Sequence, residues 1–296
     1  MLGNMSGNEA SRTAVLVCQG RAVAHGRIAV GRFDDPVARL LLRDDELAAV
    51  ERARTGVAPP GWADRMEFEL LAANAEVIVP RTIAIDDAVR AGASPQLVIL
   101  GAGLDDRAWR TPDLADVDVF EVDHPASQDD KRDRARGLQP VSRTLRYVPV
   151  DFGRDALGPA LAAAGHQEAL TTTWVWEGVV PYLSRAEVET TVAAFSTNSA
   201  PGSRLVVNYQ TPSWAASVGR LVARGLTMIA RRPDPLGAEP RRSTWTPQAM
   251  RALLARVGLR VVSDDDLLTL ARQLPIPIHH GRSLQSGHVA VALAAR

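Results

Sequence analysis

Several residue types that would indicate particular functions are scarce in this chain of 296 residues. Cys18 is the sole cysteine, which excludes an intramolecular disulfide and a cysteine-rich metal site. Lysine occurs once, at Lys131, so lysine-centred chemistry is excluded elsewhere in the chain. Lysine and arginine together number 34 and so do the acidic residues, which leaves no basic excess for binding a phosphate backbone. We therefore expect no nucleic-acid partner.

Long apolar runs are also missing. No run approaches the roughly 18 residues that span a bilayer. The segment from Met1 to Ser11 lacks the basic and apolar regions of a secretion signal. We therefore expect a cytoplasmic protein without a membrane partner. The hydrophobic content of 46% is nevertheless sufficient for one large core.

The first 93 residues are predicted to form an N-terminal helical cap. Apolar residues recur at helical spacing from Val37 to Val50 and from Met66 to Ile78. A third helix is predicted around Ile83 to Val89, ending near Gly92. After Ser94-Pro95 the pattern changes to alternating strands and helices.

Seven strands are predicted after the helical cap. The alternation of strands with helices at short connections is typical of an α/β fold with a doubly wound, mostly parallel, Rossmann-like sheet. The stretch before the last strand is poor in helix, so we expect that strand to be antiparallel. The predicted strands are 97–100, 117–123, 145–150, 172–176, 203–209, 259–262 and 288–293.

A single domain is predicted to account for the whole chain, 1–296. Its core sheet is predicted over 94–211 and 244–296, and a helical lid insertion over 212–243. The N-terminal helices and the lid are where we expect specificity for a ligand to be determined. Five apolar residues of the insertion would either line a ligand pocket or pack the lid onto the sheet: Trp214, Leu221, Val222, Met228 and Ile229.

Ligands of a doubly wound sheet bind beyond the carboxyl ends of its strands. Gly101, Ala102 and Gly103 form the turn after the first strand, and Asp123 ends the second strand. Glycines allow a tight turn and a close approach of the backbone, and a carboxylate at this position can accept hydrogen bonds from ribose hydroxyls. The pattern predicts a nucleotide site.

The turn differs from the dinucleotide fingerprint, which would require glycine at the position of Asp106. Asp105 and Asp106 should repel a diphosphate and tolerate an ammonium group. This favours S-adenosylmethionine (SAM) over NAD. Asp151 and Phe152 follow the third strand as a candidate adenine clamp, and Glu177 ends the fourth strand, near the expected amino-acid part of the cofactor.

Several segments in order resemble the leucine carboxyl methyltransferase family of class I SAM-dependent methyltransferases, in its bacterial branch. They are Arg81 with Asp86-Asp87, VILGAGLDDR at 98–107, FEVDHP at 120–125 with Lys131, and WVWEGVVPYL at 174–183. Thr13-Ala14, Arg21-Ala22, Phe33–Pro36, Trp245–Pro247 and Gly258-Leu259 extend the resemblance over most of the chain.

The resemblance implies a role for each matching residue. Arg81 would pair with the methionyl carboxylate of SAM, for which a guanidinium is well suited. Arg21, with Arg27 as the alternative, is the candidate for a second basic residue at that carboxylate. Tyr182 matches a tyrosine on the substrate side. Gly101, Asp123, Asp151, Phe152 and Glu177 match the turn, the ribose acid, the adenine contacts and the acid near the methionine part.

The expected activity is transfer of a methyl group to a carboxylate, enol or phenol oxygen of a small molecule. The alternatives are methylation of a protein C-terminal carboxylate, or a SAM-binding protein that does not methylate. An ionised carboxylate acceptor needs no general base. For other acceptors His25, His279 and His280 are candidate bases, and we expect no metal, because Cys, His and acidic residues do not cluster at ligand spacing.

Overall fold

The computed structural model describes residues 11–152, 154–212 and 242–295. The strands are β1 Gln96–Leu100, β2 Asp118–Asp123, β3 Thr144–Pro149, β4 Thr172–Trp176, β5 Arg204–Gln210, β6 Leu259–Asp266 and β7 Gly287–Ala294. The α-helices of these residues are α1 Arg12–Ala24, α2 Asp44–Arg54, α3 Trp62–Gly92, α4 Arg107–Arg110, α5 Pro125–Arg134, α6 Leu157–Ala163, α7 Arg185–Thr197, α8 Pro247–Arg256, α9 Leu267–Arg272 and α10 Gly281–Ser286.

All seven strands belong to one sheet with the order β3-β2-β1-β4-β5-β7-β6. The pairs among β1 to β5 are parallel, whereas β7 is antiparallel to both of its neighbours, β5 and β6. The predicted fold class, including the antiparallel last strand, is confirmed. β1 lies between β2 and β4. The strand order therefore runs outward from β1 to β3 on one side and from β4 to β5 on the other. Ligand sites of doubly wound sheets are found at such a switch point.

Helices cover both faces of the sheet and bury two apolar clusters. One cluster lies under α1, α2, α3 and α9 and includes Val119 and Val206. The other lies under α6, α7 and α8 and includes Phe120 and Leu205. Successive residues of a strand point to opposite faces, so a strand covered on both faces is apolar throughout. This explains why β1 is buried at all five positions.

Local capping fixes where several helices begin. The Ser184 hydroxyl accepts a hydrogen bond from the Glu187 N–H, while the Glu187 carboxylate accepts one from the Ser184 N–H, which forms a capping box for α7. Thr246 caps α8, and Pro247 occupies the first position of that helix. These caps orient the helices that pack behind the site.

All three predicted N-terminal helices are wrong in extent. The helices predicted to end near Ile78 and to begin near Ile83 are one helix, α3, which continues through Pro80. Proline removes a backbone hydrogen bond and usually breaks a helix, but Pro80 and its neighbours Ile78 and Val79 are buried, so packing outweighs this loss. The helix predicted over Val37–Val50 is a short 3-10 helix at 38–41 followed by α2.

The acidic triplet Asp264–Asp266 has the composition of a helix's first turn, but it is the end of β6, which extends beyond the predicted strand 259–262. Asp264 and Asp266 pair with Ala290 and His288 of β7, after a register shift between Val261 and Ser263. The carboxylate of Asp266 then caps α9 by accepting a hydrogen bond from the Thr269 N–H. The stretch 274–287, predicted to be poor in helix, contains the short helix α10.

Most of the predicted lid insertion, 212–243, lies outside the described residues, and so do Trp214, Leu221, Val222, Met228 and Ile229. The described neighbours of this segment lie near the end of β5. The Thr211 N–H donates to the Ser286 carbonyl, and the Arg242 N–H donates to the Pro181 carbonyl. Over the ranges that the structure covers, no helix is both long and apolar enough to cross a bilayer.

Candidate cofactor site at the carboxyl edge of the sheet

The strand register brings the predicted site residues to one edge of the sheet. Leu100 pairs with Val122 on one side and with Trp176 on the other. The residues that follow these three are therefore neighbours at the carboxyl edge: Gly101, Asp123 and Glu177. Asp151 lies two positions beyond the end of β3, beside Asp123. Chain segments that are distant in sequence thus supply one site.

The turn after β1 requires glycine for its backbone conformation and for its close neighbours. Gly101 has a φ of 62° and Gly103 a φ of 49°, which L side chains rarely adopt. A Cβ on Gly101 would lie 2.3 Å from Cγ2 of Val179, and one on Gly103 would lie 2.9 Å from Cβ of Ala14. The loop after β4 and helix α1 therefore both press on this turn. Ala102 is buried between the two glycines.

The Asp123 carboxylate ties this turn to β2. Its Oδ2 accepts a hydrogen bond of 2.6 Å from the Gly103 N–H, and its Oδ1 accepts one of 2.7 Å from the His124 N–H. Burial raises the pKa of Asp123, and these two hydrogen bonds oppose the rise. Each carboxylate oxygen has two lone pairs, so Asp123 has the capacity to accept further hydrogen bonds from two hydroxyl groups.

Asp151 and Phe152 follow β3 at the same edge. The Val150 N–H donates to the Asp123 carbonyl, which joins this segment to the end of β2. The Asp151 N–H donates to the Asp155 carboxylate at 2.8 Å. Phe152 is partly buried and packs against the apolar cluster under α6 and α7. This geometry is compatible with the predicted adenine clamp, which stays a prediction.

Two arginines hold Glu177 at the end of β4. Arg81 Nε lies 2.7 Å from Glu177 Oε1, and Arg107 Nη2 lies 3.0 Å from Oε2. Arg81 comes from α3 and Arg107 from α4, so the pair joins two helices to the sheet edge. Arg81, Arg107 and, more weakly, Arg21 lower the pKa of Glu177 to about 2, against the effect of burial. Glu177 is therefore ionised at neutral pH.

This pair is part of a larger buried ionic network. The arginines bind carboxylates that come from α3, from the turn after β1 and from the segment after α1. Arg107 binds Asp86 and Asp105 as well as Glu177, Arg110 binds Asp86, Asp106 and Asp35, and Arg21 binds Asp35 and Asp106. The network so defined has four arginines and five carboxylates. A buried set of this kind is stable only when its members pair, and here each does.

Two members of the network, Asp35 and Asp106, are fully buried and close enough to interact. Burial and the neighbouring Asp106 raise the pKa of Asp35 to about 7, although Arg21 and Arg110 oppose this. Arg21 and Arg110 lower the pKa of Asp106. Two adjacent carboxylates cannot both ionise easily, so below the pKa of Asp35 the proton of the pair resides on Asp35 and the charge on Asp106.

These contacts change the interpretation of the acidic turn. Asp105 and Asp106 were expected to repel a diphosphate, but both are buried and neutralised by arginines. Their charges therefore do not distinguish SAM from NAD. The feature of this turn that still favours SAM over NAD is the absence of a third glycine, since position 106 is aspartate. The arginines that neutralise them, Arg107 and Arg110, were missed by the sequence reasoning, although they stand two and four positions from the acids.

Arg21 lies below the turn. Its Nη2 donates to the Leu104 carbonyl at 2.7 Å, and its Nε lies 2.8 Å from Asp35. It thus supports the turn from the side of α1, and a direct contact with cofactor stays a prediction. The alternative, Arg27, is exposed and lies outside this network.

Tyr182 lies in a short 3-10 helix after β4 and is half-buried. Its N–H donates to the Val179 carbonyl, so its backbone is fixed by the same loop that packs on Gly101. Trp174 and Trp176 are both buried and contact Phe195, because residues two apart on a strand share a face.

The three candidate bases each contact a carboxylate. The Glu76 carboxylate accepts hydrogen bonds from the backbone N–H groups of His279 and His280, at 2.7 and 2.8 Å. Their Nδ1 atoms lie 3.3 and 2.9 Å from the same carboxylate. Nδ1 of His25 lies 2.9 Å from Asp34. Among the residues that the structure covers, no group of three potential ligands could hold a metal ion.

The site can therefore offer opposite charges to a zwitterion. An α-amino acid group has an ammonium that Glu177 could bind and a carboxylate that Arg81 could bind. The glycine turn and Asp123 lie directly beside them, where a ribose would follow. These residues fit the amino-acid and ribose parts of SAM.

Comparison with known proteins gives a family and a fold. Residues 14–196 match the family model described as leucine carboxyl methyltransferase. A Mycobacterium marinum protein, provisionally named a SAM-dependent methyltransferase, is 37% identical over 203 residues, which are 66% of this chain and 64% of the relative. A Streptomyces coelicolor protein with a similar provisional name is 38% identical over 168 residues, which are 54% of this chain and 59% of the relative. The chain spans less than two thirds of these curated relatives.

Two solved structures resemble the whole described chain. A DUF574 family protein from Streptomyces avermitilis has a TM-score of 0.56 at 15% identity, covering 97% of this chain and 98% of that one. A protein of Thermobifida fusca, provisionally named a methyltransferase, has a TM-score of 0.52 at 18% identity, covering 95% and 94%. At these identities the likeness shows the fold alone.

Proposed function

Because the chain belongs to the leucine carboxyl methyltransferase family, we propose that it is a SAM-dependent O-methyltransferase. The acceptor is a carboxylate, enol or phenol oxygen of a small molecule. The observation that carries the proposal is the set of side chains at the carboxyl edge, where Arg81 and Glu177 present opposite charges beside the glycine turn and Asp123.

Each of these residues has a defined role in the proposal. Arg81 binds the carboxylate of the methionine part, and Glu177 binds its ammonium. Asp123 accepts hydrogen bonds from the ribose, and Asp151 with Phe152 binds the adenine. SAM supplies an activated methyl group attached to a sulfonium. The chain has to place an acceptor oxygen about 3 Å from that methyl carbon and to exclude water.

A carboxylate acceptor suits the described residues best. It is ionised at neutral pH and needs no general base. The three candidate bases are each paired with a carboxylate other than Glu177: His279 and His280 with Glu76, and His25 with Asp34. The family description also names a carboxyl acceptor. Methylation of a protein C-terminus is the second candidate that this description favours.

The experiment is a methyl-transfer assay with the full chain, SAM labelled in its methyl group, and a panel of acceptors. The panel contains small carboxylic acids, enols, phenols, and a peptide that ends in leucine. Mass spectrometry detects the gain of one CH₂ group. Treatment with mild base then separates the products, because methyl esters hydrolyse and aryl methyl ethers do not.

We expect base-labile label on a small acid. Label on the peptide alone would replace this proposal by the second candidate, and no transfer to any acceptor of the panel would count against methyl transfer. Arg81→Ala should abolish turnover at low SAM. Arg90→Ala is the matched control, because Arg90 is on the same helix in exposed ion pairs with Asp87 and Asp113 and should leave turnover unchanged.

A further inference from the structure

The two oxygens of Glu177 are held by two arginines whose surroundings differ. Oε1 is 2.7 Å from Arg81 Nε, and Oε2 is 3.0 Å from Arg107 Nη2. If an amino-acid zwitterion binds here, Arg81 has to turn from Glu177 to the incoming carboxylate. Glu177 would then keep one cationic partner in the protein. Whether Glu177 keeps this partner depends on how many carboxylates hold each arginine and on how deeply each arginine is buried.

Arg107 is fixed on every side. Its guanidinium binds Asp86 of α3 at 2.7 Å, Asp105 in the turn after β1, and Glu177 after β4, and its side chain is 3% exposed. Arg81 is more exposed, at 10%, and has one carboxylate partner among the described residues, against three for Arg107. Exchange of partner therefore costs less for Arg81 than for Arg107, whose departure would leave the buried carboxylate of Asp105 without its guanidinium partner.

We propose that Arg107 is a positioning residue that keeps Glu177 in place and ionised while Arg81 exchanges Glu177 for the carboxylate of the cofactor. This inference rests on the proposed function, because it assigns the exchange to the amino-acid part of SAM. An ammonium group binds an ionised carboxylate far more strongly than it binds a neutral carboxylic acid. Without Arg107, burial would raise the pKa of Glu177, and the neutral acid that then forms at low pH would have to lose its proton before the ammonium binds.

The charges around Glu177 come from three helices and the turn. Arg81 lies on α3, Arg107 on α4 and Arg21 on α1, and all three lower the pKa of Glu177. Behind Arg107 lie the carboxylates of Asp86 and Asp105. Asp35 also titrates near neutral pH, so SAM binding can depend on pH for reasons other than Glu177. The experiment therefore needs a control variant in which the ionic network around Asp35 is also disturbed.

Arg110 provides that control. It lies on the same short helix as Arg107, shares Asp86 with it, and is equally buried, at 5% exposure. It binds Asp86, Asp106 and Asp35 and makes no ion pair with Glu177. Arg110→Gln thus disturbs the network to a similar extent and leaves both partners of Glu177 in place.

The experiment measures the Kd of SAM by calorimetry between about pH 5 and about pH 8 for the wild type, R107Q, R110Q and R107Q/E177Q. In R107Q the affinity should fall with acid, approaching about one decade in Kd per pH unit, beyond the change seen in the wild type. Removal of Arg110 moves the titration of Asp35 to higher pH, so toward acid R110Q should show no loss of affinity beyond that of the wild type. R107Q/E177Q should lose the added pH dependence, because no ionisable group remains at position 177.

A structural role alone would weaken SAM binding in R107Q equally at every pH, and that result would overturn the inference.

The same inference can be tested without R107Q, should that variant not fold. E177Q is neutral at every pH, so the ratio of its Kd to that of the wild type should stay constant from about pH 8 to about pH 5. A ratio that shrinks toward acid would show that Glu177 protonates in the wild type, which overturns the inference. Absence of SAM binding by folded wild type would instead refute the proposed function.

Discussion

Gly101 is the residue whose replacement should reveal most about the turn after β1. Gly101→Ala forces a side chain onto a φ of 62°, which costs an L residue about 1–2 kcal/mol. The new Cβ would also lie 2.3 Å from Cγ2 of Val179. Overpacking of this kind costs about 1–3 kcal/mol. Together these give a loss of about 2–5 kcal/mol in the free energy of unfolding.

Gly178 separates the two contributions. Its φ is 71°, but a Cβ there meets no heavy atom within 4 Å. Gly178→Ala should therefore cost only the backbone part, about 1–2 kcal/mol. The overpacking part should disappear when Val179 is also shortened, because Val179→Ala removes the atom that clashes. In a double-mutant cycle, Gly101→Ala and Val179→Ala should show a favourable coupling of about 1–3 kcal/mol.

Urea unfolding of the single and double variants, followed by tryptophan fluorescence, gives these free energies. The reasoning would be refuted by Gly101→Ala being no more destabilising than Gly178→Ala, or by a coupling near zero. Either result would mean that the loop after β4 does not press on the turn as the structure shows.

Three further outcomes are expected. Asp123→Ala should weaken SAM binding in calorimetry by about 1–3 kcal/mol, because hydrogen bonds to a charged group are lost; unchanged affinity would remove Asp123 from the site. Since the pKa of Asp35 is raised from 3.8 to about 7, its contribution to stability is complete below 3.8 and is lost as the pH rises through 7. The free energy of unfolding of the wild type relative to Asp35→Asn should therefore decrease from about pH 4 to about pH 8, and a difference independent of pH would contradict this. Glu76→Ala should speed amide hydrogen exchange at His279 and His280, whose N–H groups lose their acceptor; unaltered exchange would show that Glu76 does not hold this segment.

The fold was largely predictable because the strands carry their own signal. Residues 97–100 and 172–176 are short apolar runs bounded by turns, and such runs favour buried parallel strands. The end of β6 was not predictable in this way. Asp264–Asp266 has the composition of a helix start, and it is a strand because β7 supplies pairing partners that lie more than twenty residues away.

The candidate site was predictable where residues follow strands directly. Gly101, Asp123 and Glu177 are brought together by register, which the strand ends already imply. The ionic network was not predictable, because Asp35 and Asp86 come from the segment after α1 and from α3 and approach the turn only in the folded chain. This is why Asp105 and Asp106 looked like free charges in the sequence and are neutralised in the structure.

The central claim is that the carboxyl edge of the sheet binds SAM. Calorimetric titration of the full chain with SAM, and separately with NAD, tests it most directly. Binding of SAM at one site per chain, with no heat from NAD under the same conditions, is the expected result. Binding of NAD without binding of SAM would contradict the claim.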